Sequence, residues 1–304
     1  MYEQHFKLND KPFRLTPELN VRYPEPSQQI TLNTLELALA DGEGFIKVTG
    51  EVGLGKTLLC RALLARLQHP YFTAWIPDPQ LAPGSLRRAL ADELGIERTS
   101  RVSLNELHRL IQQRLLQLAG QGLRPVLVID EAQALPPSTM EAVRLLTNLE
   151  TESRKLLQVV LFGQPELDQR LARPGLRQLR QRITFTCRLE PLAPKAVAEY
   201  IYHRTDAAGA DQPLFTPAAT RRIARASGGV PRLINVLCHK ALLAAWGRGL
   251  PQAGRAEVRR AIADTESVVT TSPVRSGWRV RAAVVIGAAV AAWTWLAGWP
   301  GAGT

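Results

Sequence analysis

Residues 50–57 read Gly-Glu-Val-Gly-Leu-Gly-Lys-Thr, which matches the phosphate-binding loop pattern G-x-x-x-x-G-K-[ST] at every fixed position. In such a loop the glycines let backbone N–H groups approach a polyphosphate closely, the lysine binds the outer phosphates and the hydroxyl reaches Mg²⁺. We therefore expect Lys56 to bind phosphate and Thr57 to ligate the metal. The residues expected to contact the bound molecule are Gly50, Glu51, Val52, Gly53, Leu54, Gly55, Lys56, Thr57 and Leu58.

Two adjacent acids, Asp130 and Glu131, follow the apolar run Pro-Val-Leu-Val-Ile at 125–129. A continuous apolar run is typical of a strand that is buried on both faces of a parallel sheet. We expect Asp130 to hold Mg²⁺ through its hydration shell. Glu131 can then accept a proton from an attacking water, which a carboxylate committed to the metal cannot do. Together with Lys56, these acids supply the groups that hydrolysis of a nucleoside triphosphate requires.

The motif residues lie at junctions between predicted strands and helices. Residues 45–49, before the phosphate-binding loop, read as a strand, and residues 57–64 have apolar side chains at helical spacing. The predicted strands, which alternate with helices, are 45–49, 71–76, 125–129, 156–162 and 183–187. This alternation predicts an α/β fold with a mostly parallel sheet and a ligand at the carboxyl edge of its strands.

Composition and periodicity divide the chain into five predicted segments. Residues 1–26 hold aromatic residues and prolines without periodicity, so we expect an arm that lies on the main domain and covers its core, with contact to a nucleotide base as the alternative. Residues 27–190 form the predicted α/β domain. Residues 191–267, where strand signals stop, form a smaller helical lid with helices near 194–208, 216–227, 230–247 and 254–267. A polar linker at 268–281 then leads to an apolar segment at 282–299.

The apolar segment has the features of a membrane helix. It runs eighteen residues without a charge, follows Arg275, Arg279 and Arg281, and ends among tryptophans. Basic residues on one flank and tryptophans on the other predict a spanning or anchoring helix with the N-terminal domains in the cytoplasm. A packed apolar tail is the alternative.

The composition is that of a basic globular protein. The chain has 304 residues, of which 45% are hydrophobic, and a formal net charge of +11, which permits binding to nucleic acid or to an anionic membrane. Cys60, Cys187 and Cys238 lie far apart without metal-ligand spacing, so we expect buried thiols in a reducing compartment. The first residues contain no apolar signal region.

The paired motifs at 50–57 and 126–133 resemble those of AAA+ ATPases. Further stretches narrow the resemblance to general secretion pathway protein A and its relatives, over about residues 1–265; they lie at 1–6, 12–17, 128–133, 160–167 and 228–235. Within that group the sequence most resembles the ATPase of mannose-sensitive haemagglutinin pilus biogenesis. Few residues follow the apolar segment, so we expect the periplasmic cell-wall-binding domain of the larger relatives to be absent.

The resemblance implies roles for three further residues. Gln164 falls where these proteins place the polar residue that senses the terminal phosphate, although a strand-end turn amide would look the same. Arg232 matches the lid arginine that reaches back to the nucleotide, with a solvated arginine at a helix start as the alternative. We favour Arg182 as the arginine finger supplied to a neighbouring subunit, with Arg177 and Arg180 as further candidates. The alternative is that these arginines only form a solvated basic helix face.

The resemblance implies an ATPase that uses ATP and Mg²⁺ and forms a homo-oligomer. It would support assembly of a type IV pilus or a type II secretion complex at the cytoplasmic face of the inner membrane, held there by its C-terminal helix. Two alternatives stay open: a DNA-binding ATPase of the transposition-targeting kind, and a nucleotide-gated scaffold with little turnover. The C-terminal apolar segment argues against nucleic acid as a partner, since the transposition-type proteins are soluble.

Overall fold

The computed structural model describes residues 2–15, 23, 25–97, 102–149 and 155–266. The predicted linker at 268–281 and the apolar segment at 282–299 lie outside these residues. Within the described residues, no helix is both long enough and apolar enough to cross a membrane.

A five-stranded parallel sheet forms the centre of the α/β region. Its strands are β1 (Phe45–Thr49), β2 (Tyr71–Ile76), β3 (Arg124–Ile129), β4 (Gln158–Gly163) and β5 (Phe185–Arg188). They are arranged in the order β2-β3-β4-β1-β5. Thr49 pairs with Gly163, and Ile129 pairs with Leu161, so β1, β3 and β4 end at one edge of the sheet. The predicted parallel α/β fold is confirmed.

Helices cover both faces of this sheet, because successive residues of the buried strands point to opposite sides. The helices are α1 (Pro26–Ala40), α2 (Lys56–Arg66), α3 (Pro83–Glu93), α4 (Leu104–Gly120), α5 (Pro137–Leu146), α6 (Glu166–Leu171) and α7 (Arg177–Arg182). Leu127 and Ile129 belong to a core with α3, α4, α5 and α6, whereas Val126 and Val128 pack with α1 and α2. Cys60 is buried in the second core, and Cys187 is half-buried beside it.

Four helices after the sheet build a separate hydrophobic core. They are α8 (Pro194–Ala207), α9 (Pro217–Ser227), α10 (Pro231–Trp246) and α11 (Arg255–Ala263). Their apolar faces enclose side chains such as Ile201, Ile234 and the buried Cys238. This arrangement agrees with the helices predicted for a lid, and we refer to α8–α11 as the helical unit.

The N-terminal arm packs on the helical unit, which corrects the expectation that it lies on the main domain. Tyr2, Phe6 and Phe13 are buried in the core of that unit, and the Tyr2 hydroxyl is hydrogen-bonded to His239 Nδ1 at 3.0 Å. The physical reason is complementarity: the arm supplies large aromatic side chains that complete a small four-helix core. Burial raises the pKa of the Tyr2 hydroxyl.

Candidate nucleotide-binding site

The phosphate-binding loop connects the end of β1 to the start of α2. The Gly50 N–H donates to the carbonyl of Gly163 at 3.2 Å, which ties the loop to β4. Gly53 and Gly55 have φ values of +84° and +90°, a left-handed conformation that side chains disfavour. A Cβ on Gly53 would also lie 2.9 Å from Cβ of Arg232, so the helical unit approaches the loop at this glycine.

Lys56 is the first residue of α2 and is only 5% exposed. Its Nζ donates to the carbonyl oxygens of Gly50 at 2.8 Å and Glu51 at 3.0 Å, across its own loop. Burial lowers the pKa of Lys56, and the nearby carboxylates of Glu131 and Asp130 oppose that shift. Because its hydrogen bonds go to neutral carbonyls, the charge of Lys56 is suited to phosphate oxygens.

Asp130 lies at the end of β3 and is 2% exposed. Its Oδ1 accepts from the backbone N–H of Glu131 at 2.9 Å. Burial raises the pKa of Asp130, whereas Thr57 and the hydrogen bond from Glu131 oppose that shift. The two residues predicted to hold the metal therefore lie close enough to affect each other.

The donor set of Thr57 and Asp130 fits Mg²⁺. This ion prefers oxygen ligands and is held by one or two protein groups together with phosphates and waters. Within the described ranges, no group of three or more His, Cys, Asp or Glu side chains is placed to hold a metal. A hydroxyl and a carboxylate beside a phosphate-binding loop therefore suit a nucleotide-associated Mg²⁺ better than an all-protein site.

Glu131 is held at the carboxyl edge of the sheet by two glutamines. Its backbone adopts a left-handed φ of 48°, and its Oε2 accepts from Gln133 Nε2 and, at 3.3 Å, from Gln164 Nε2. The Oε1 of Gln133 in turn accepts from the backbone N–H of Gln164 at 2.9 Å. Gln133 thus joins the ends of β3 and β4, a contact that the sequence alone did not indicate.

These residues meet at a cavity of about 390 Å³ between the phosphate-binding loop and the helical unit. Predicted residues that line it are Val52, Gly53, Gly55, Lys56, Thr57, Leu58, Glu131, Gln164 and Arg232. Gly50, Glu51, Leu54 and Asp130 do not line it, and Leu54 is instead buried in the core. The backbone N–H of Arg232 donates to the carbonyl of Gly53 at 3.2 Å, which holds the start of α10 against the loop.

Sequence reasoning missed the far end of the cavity, which the arm and the helical unit form. The lining residues there are Arg14, Leu15, Tyr200, Arg204 and Asn235. The Tyr200 hydroxyl donates to Asn235 Oδ1 at 2.8 Å, and Asn235 Nδ2 donates to the carbonyl of Arg14 at 3.4 Å. One feature of the sequence could have indicated the position of Arg204. It falls on the apolar face of α8 with Val197 and Ile201, which predicts that its side chain is buried.

Arg182 is not among the residues that line the cavity. It ends α7, is half-buried, and its Nη1 donates to the Thr147 hydroxyl at 3.2 Å, while Arg177 and Arg180 are exposed. The structure therefore does not bring Arg182 to the cavity beside the phosphate-binding loop of its own chain. Its assignment as an arginine finger for a neighbouring subunit stays a prediction.

Comparison with known proteins agrees with this geometry. Residues 39–171 match a family model described as an AAA domain. General secretion pathway protein A of Aeromonas hydrophila is 41% identical over 295 residues, which cover 97% of this chain and 54% of that protein. The chain thus spans about half the length of this curated relative.

Solved structures show the same fold at low sequence identity. One is the Drosophila ORC bound to DNA, with a TM-score of 0.65, 20% identity, and coverage of 86% of this chain and 65% of that chain. Another is the Aeropyrum pernix ORC1 protein in complex with DNA, with a TM-score of 0.63, 20% identity, and coverage of 85% and 70%. Taken together, the comparisons show that the chain contains an AAA domain at residues 39–171 and that it is similar to general secretion pathway protein A over almost its whole length.

Proposed function

We propose that the chain binds ATP with Mg²⁺ in the cavity between the phosphate-binding loop and the helical unit, and hydrolyses it. The observation that carries this proposal is the position of Glu131. Its carboxylate is oriented by Gln133 and Gln164 at the same sheet edge where Lys56 and the Thr57–Asp130 pair lie. Binding alone would not require an acid fixed in this way, whereas activation of a water does.

The phosphate end provides binding and charge stabilisation. Lys56 and Arg232 bind the outer phosphates, and the backbone of Gly53 and Gly55 provides room for close approach. Thr57 and Asp130 would hold Mg²⁺, which neutralises the charge that develops on the phosphate oxygens. The low exposure of Lys56 and Asp130 keeps water away from these groups and strengthens their interactions.

Glu131 accepts the proton of the attacking water. Gln164 lines the cavity and its amide donates to this carboxylate, so it can sense the terminal phosphate and report its loss to Glu131. Gln133 is a positioning residue, because it holds both Glu131 and the backbone of Gln164. Hydrolysis therefore changes the hydrogen-bond partners of groups that connect β3 with β4.

We further propose that this ATPase supports assembly of a secretion complex or a type IV pilus of the mannose-sensitive haemagglutinin kind at the inner membrane. The name of the Aeromonas hydrophila relative, at 41% identity, supports the secretion role. The apolar run at 282–299 supports a membrane position with a cytoplasmic N-terminal part. A homo-oligomer, in which Arg182 completes the neighbouring site, fits the observation that this arginine does not line its own cavity.

The purified full chain tests the enzymatic part of the proposal. We expect Mg²⁺-dependent release of phosphate from ATP, and release that is slower by about a hundredfold or more from Lys56→Met. ATP binding without turnover would favour a nucleotide-gated scaffold instead. Turnover that requires DNA and falls steeply with salt would favour a DNA-binding ATPase.

For the cellular role, we expect loss of the protein to reduce secreted proteins or surface pili, and unchanged levels of both would contradict it.

A further inference from the structure

Arg204 is a buried arginine whose charge has no carboxylate partner among the residues that the structure describes. The side chain lies in the last turn of α8 and is 8% exposed. Its Nε donates to the carbonyl of Pro12 at 2.7 Å, and within the described part of the chain it forms no salt bridge. Buried guanidinium groups are normally paired or fully hydrogen-bonded, because removing their charge from water is costly.

Arg204 lies at the end of the nucleotide cavity that the arm and the helical unit form. Arg204 lines the cavity together with Tyr200, one helical turn earlier, and with Asn235 of α10. Tyr200 donates to Asn235, and Arg204 and Asn235 donate to the arm, at the carbonyls of Pro12 and Arg14. If the phosphates lie against Lys56, this end of the cavity faces the nucleoside.

We propose that the terminal guanidinium nitrogens of Arg204 bind acceptor atoms of the nucleoside, a ring nitrogen of the base or an oxygen of the ribose. The Nε of the same side chain holds the arm at Pro12, so one residue connects nucleoside binding to the position of the arm. This inference rests on the proposed binding of ATP in the cavity. It adds a specificity-determining contact that lies outside the phosphate-binding motifs.

The test compares ATP with inorganic triphosphate, which presents the phosphates without a nucleoside. Arg204→Met in the full chain should weaken ATP binding roughly tenfold to a hundredfold, the range for hydrogen bonds to a charged group. Its affinity for inorganic triphosphate should not change. Arg225→Met, which removes an exposed arginine of α9, is the matched control and should bind both molecules as the wild type does.

Amide hydrogen exchange of residues 2–15 gives an independent readout of the link to the arm. ATP should slow exchange in the wild type, and inorganic triphosphate should not. If Arg204→Met fails to fold, Arg204→Lys keeps the charge but loses the planar fork of donors. We then expect a higher KM for ATP with an unchanged kcat.

Two results would overturn the inference: wild-type affinity for ATP in both Arg204 variants, or an equal loss of affinity for ATP and for inorganic triphosphate. A wild-type protein that binds ATP without hydrolysing it would refute the proposed turnover and leave the Arg204 test intact. A wild-type protein that binds neither molecule would refute the proposed site itself.

Discussion

The two ends of the nucleotide cavity are built in different ways. At the phosphate end, Lys56 and Thr57 are neighbours in one short loop, and their partner Asp130 follows a single buried strand. At the nucleoside end, Arg204 reaches Pro12 across 192 residues, and Asn235 reaches Arg14 across 221 residues. Local geometry therefore dictates the first end, whereas the second exists only when the arm and the helical unit have folded together.

This difference suggests a division of labour. At the phosphate end Lys56 and Asp130 are buried, and the phosphate-binding loop is hydrogen-bonded to the end of β4. The nucleoside end depends on a few hydrogen bonds between separate elements, which are individually worth about 1 kcal/mol. Substitutions at the phosphate end should therefore abolish chemistry, while those at the nucleoside end should shift affinity.

Lys56→Met should have the largest effect. It removes the buried cation whose Nζ lies between the loop carbonyls of Gly50 and Glu51. We expect ATP turnover to fall by about a hundredfold or more, as for other groups that stabilise developing charge. Phosphate release at saturating Mg²⁺ measures it. Turnover within threefold of the wild type would contradict the expectation that substitutions at the phosphate end abolish chemistry.

Gly229→Ala should strain the helical unit just before α10, the helix that contacts the phosphate-binding loop. Gly229 has a φ of +80°, and a Cβ there would lie 2.1 Å from the carbonyl oxygen of Leu192. We expect the free energy of unfolding to fall by more than about 3 kcal/mol, because backbone atoms cannot move aside cheaply.

Gly228→Ala is the matched control for that substitution. Gly228 also has a positive φ, +56°, but a Cβ there would meet nothing within 4 Å. We expect a loss of about 1 kcal/mol from backbone strain alone. Urea unfolding of both variants measures the difference, and equal losses would show that the contact with Leu192 does not matter.

Gln133→Ala should lower turnover without weakening ATP binding. The substitution frees the Glu131 carboxylate from one of its two amides, and it also releases the backbone N–H of Gln164. We expect turnover to fall by roughly tenfold, the value of a hydrogen bond to a charged group. Gln113→Ala, on the exposed face of α4, should leave turnover unchanged. A rise in KM in place of a lower kcat would assign Gln133 to binding.

Asn235→Ala should have the smallest effect. It removes hydrogen bonds to the Tyr200 hydroxyl and to the Arg14 carbonyl, and so loosens the arm at the nucleoside end. We expect the KM for ATP to rise by about threefold to tenfold with little change in kcat, since neutral hydrogen bonds contribute modestly. Steady-state kinetics separate the two constants. A loss of kcat alone would place Asn235 in the chemistry.

Long periodic elements could be predicted closely from the sequence. The apolar run expected at 125–129 is β3 (Arg124–Ile129), and the helix expected at 194–208 is α8 (Pro194–Ala207). Both carry a strong pattern over their whole length, and prolines or charged residues mark their ends. The short helices α6 and α7 were not predicted, since six residues give too few turns for a hydrophobic period.

The candidate site also contains residues that could be predicted from the sequence and residues that could not. The phosphate-binding residues follow from a spacing that only this loop geometry explains. Gln133 and Arg204 could not be assigned, because their roles depend on which side chains face them across the fold. The arm was placed on the wrong region for the same reason: its aromatics show that it is buried, but not where.

The most direct test of the account is the effect of Glu131→Gln on hydrolysis by the full chain. Phosphate release at saturating ATP and Mg²⁺ should fall by about a hundredfold or more, the scale of a lost general base. ATP affinity should stay within twofold of the wild type, because the carboxamide keeps the shape of the side chain. Glu97→Gln, at an exposed position, controls for the loss of one charge. Equal rates of hydrolysis in Glu131→Gln and the wild type would contradict the account.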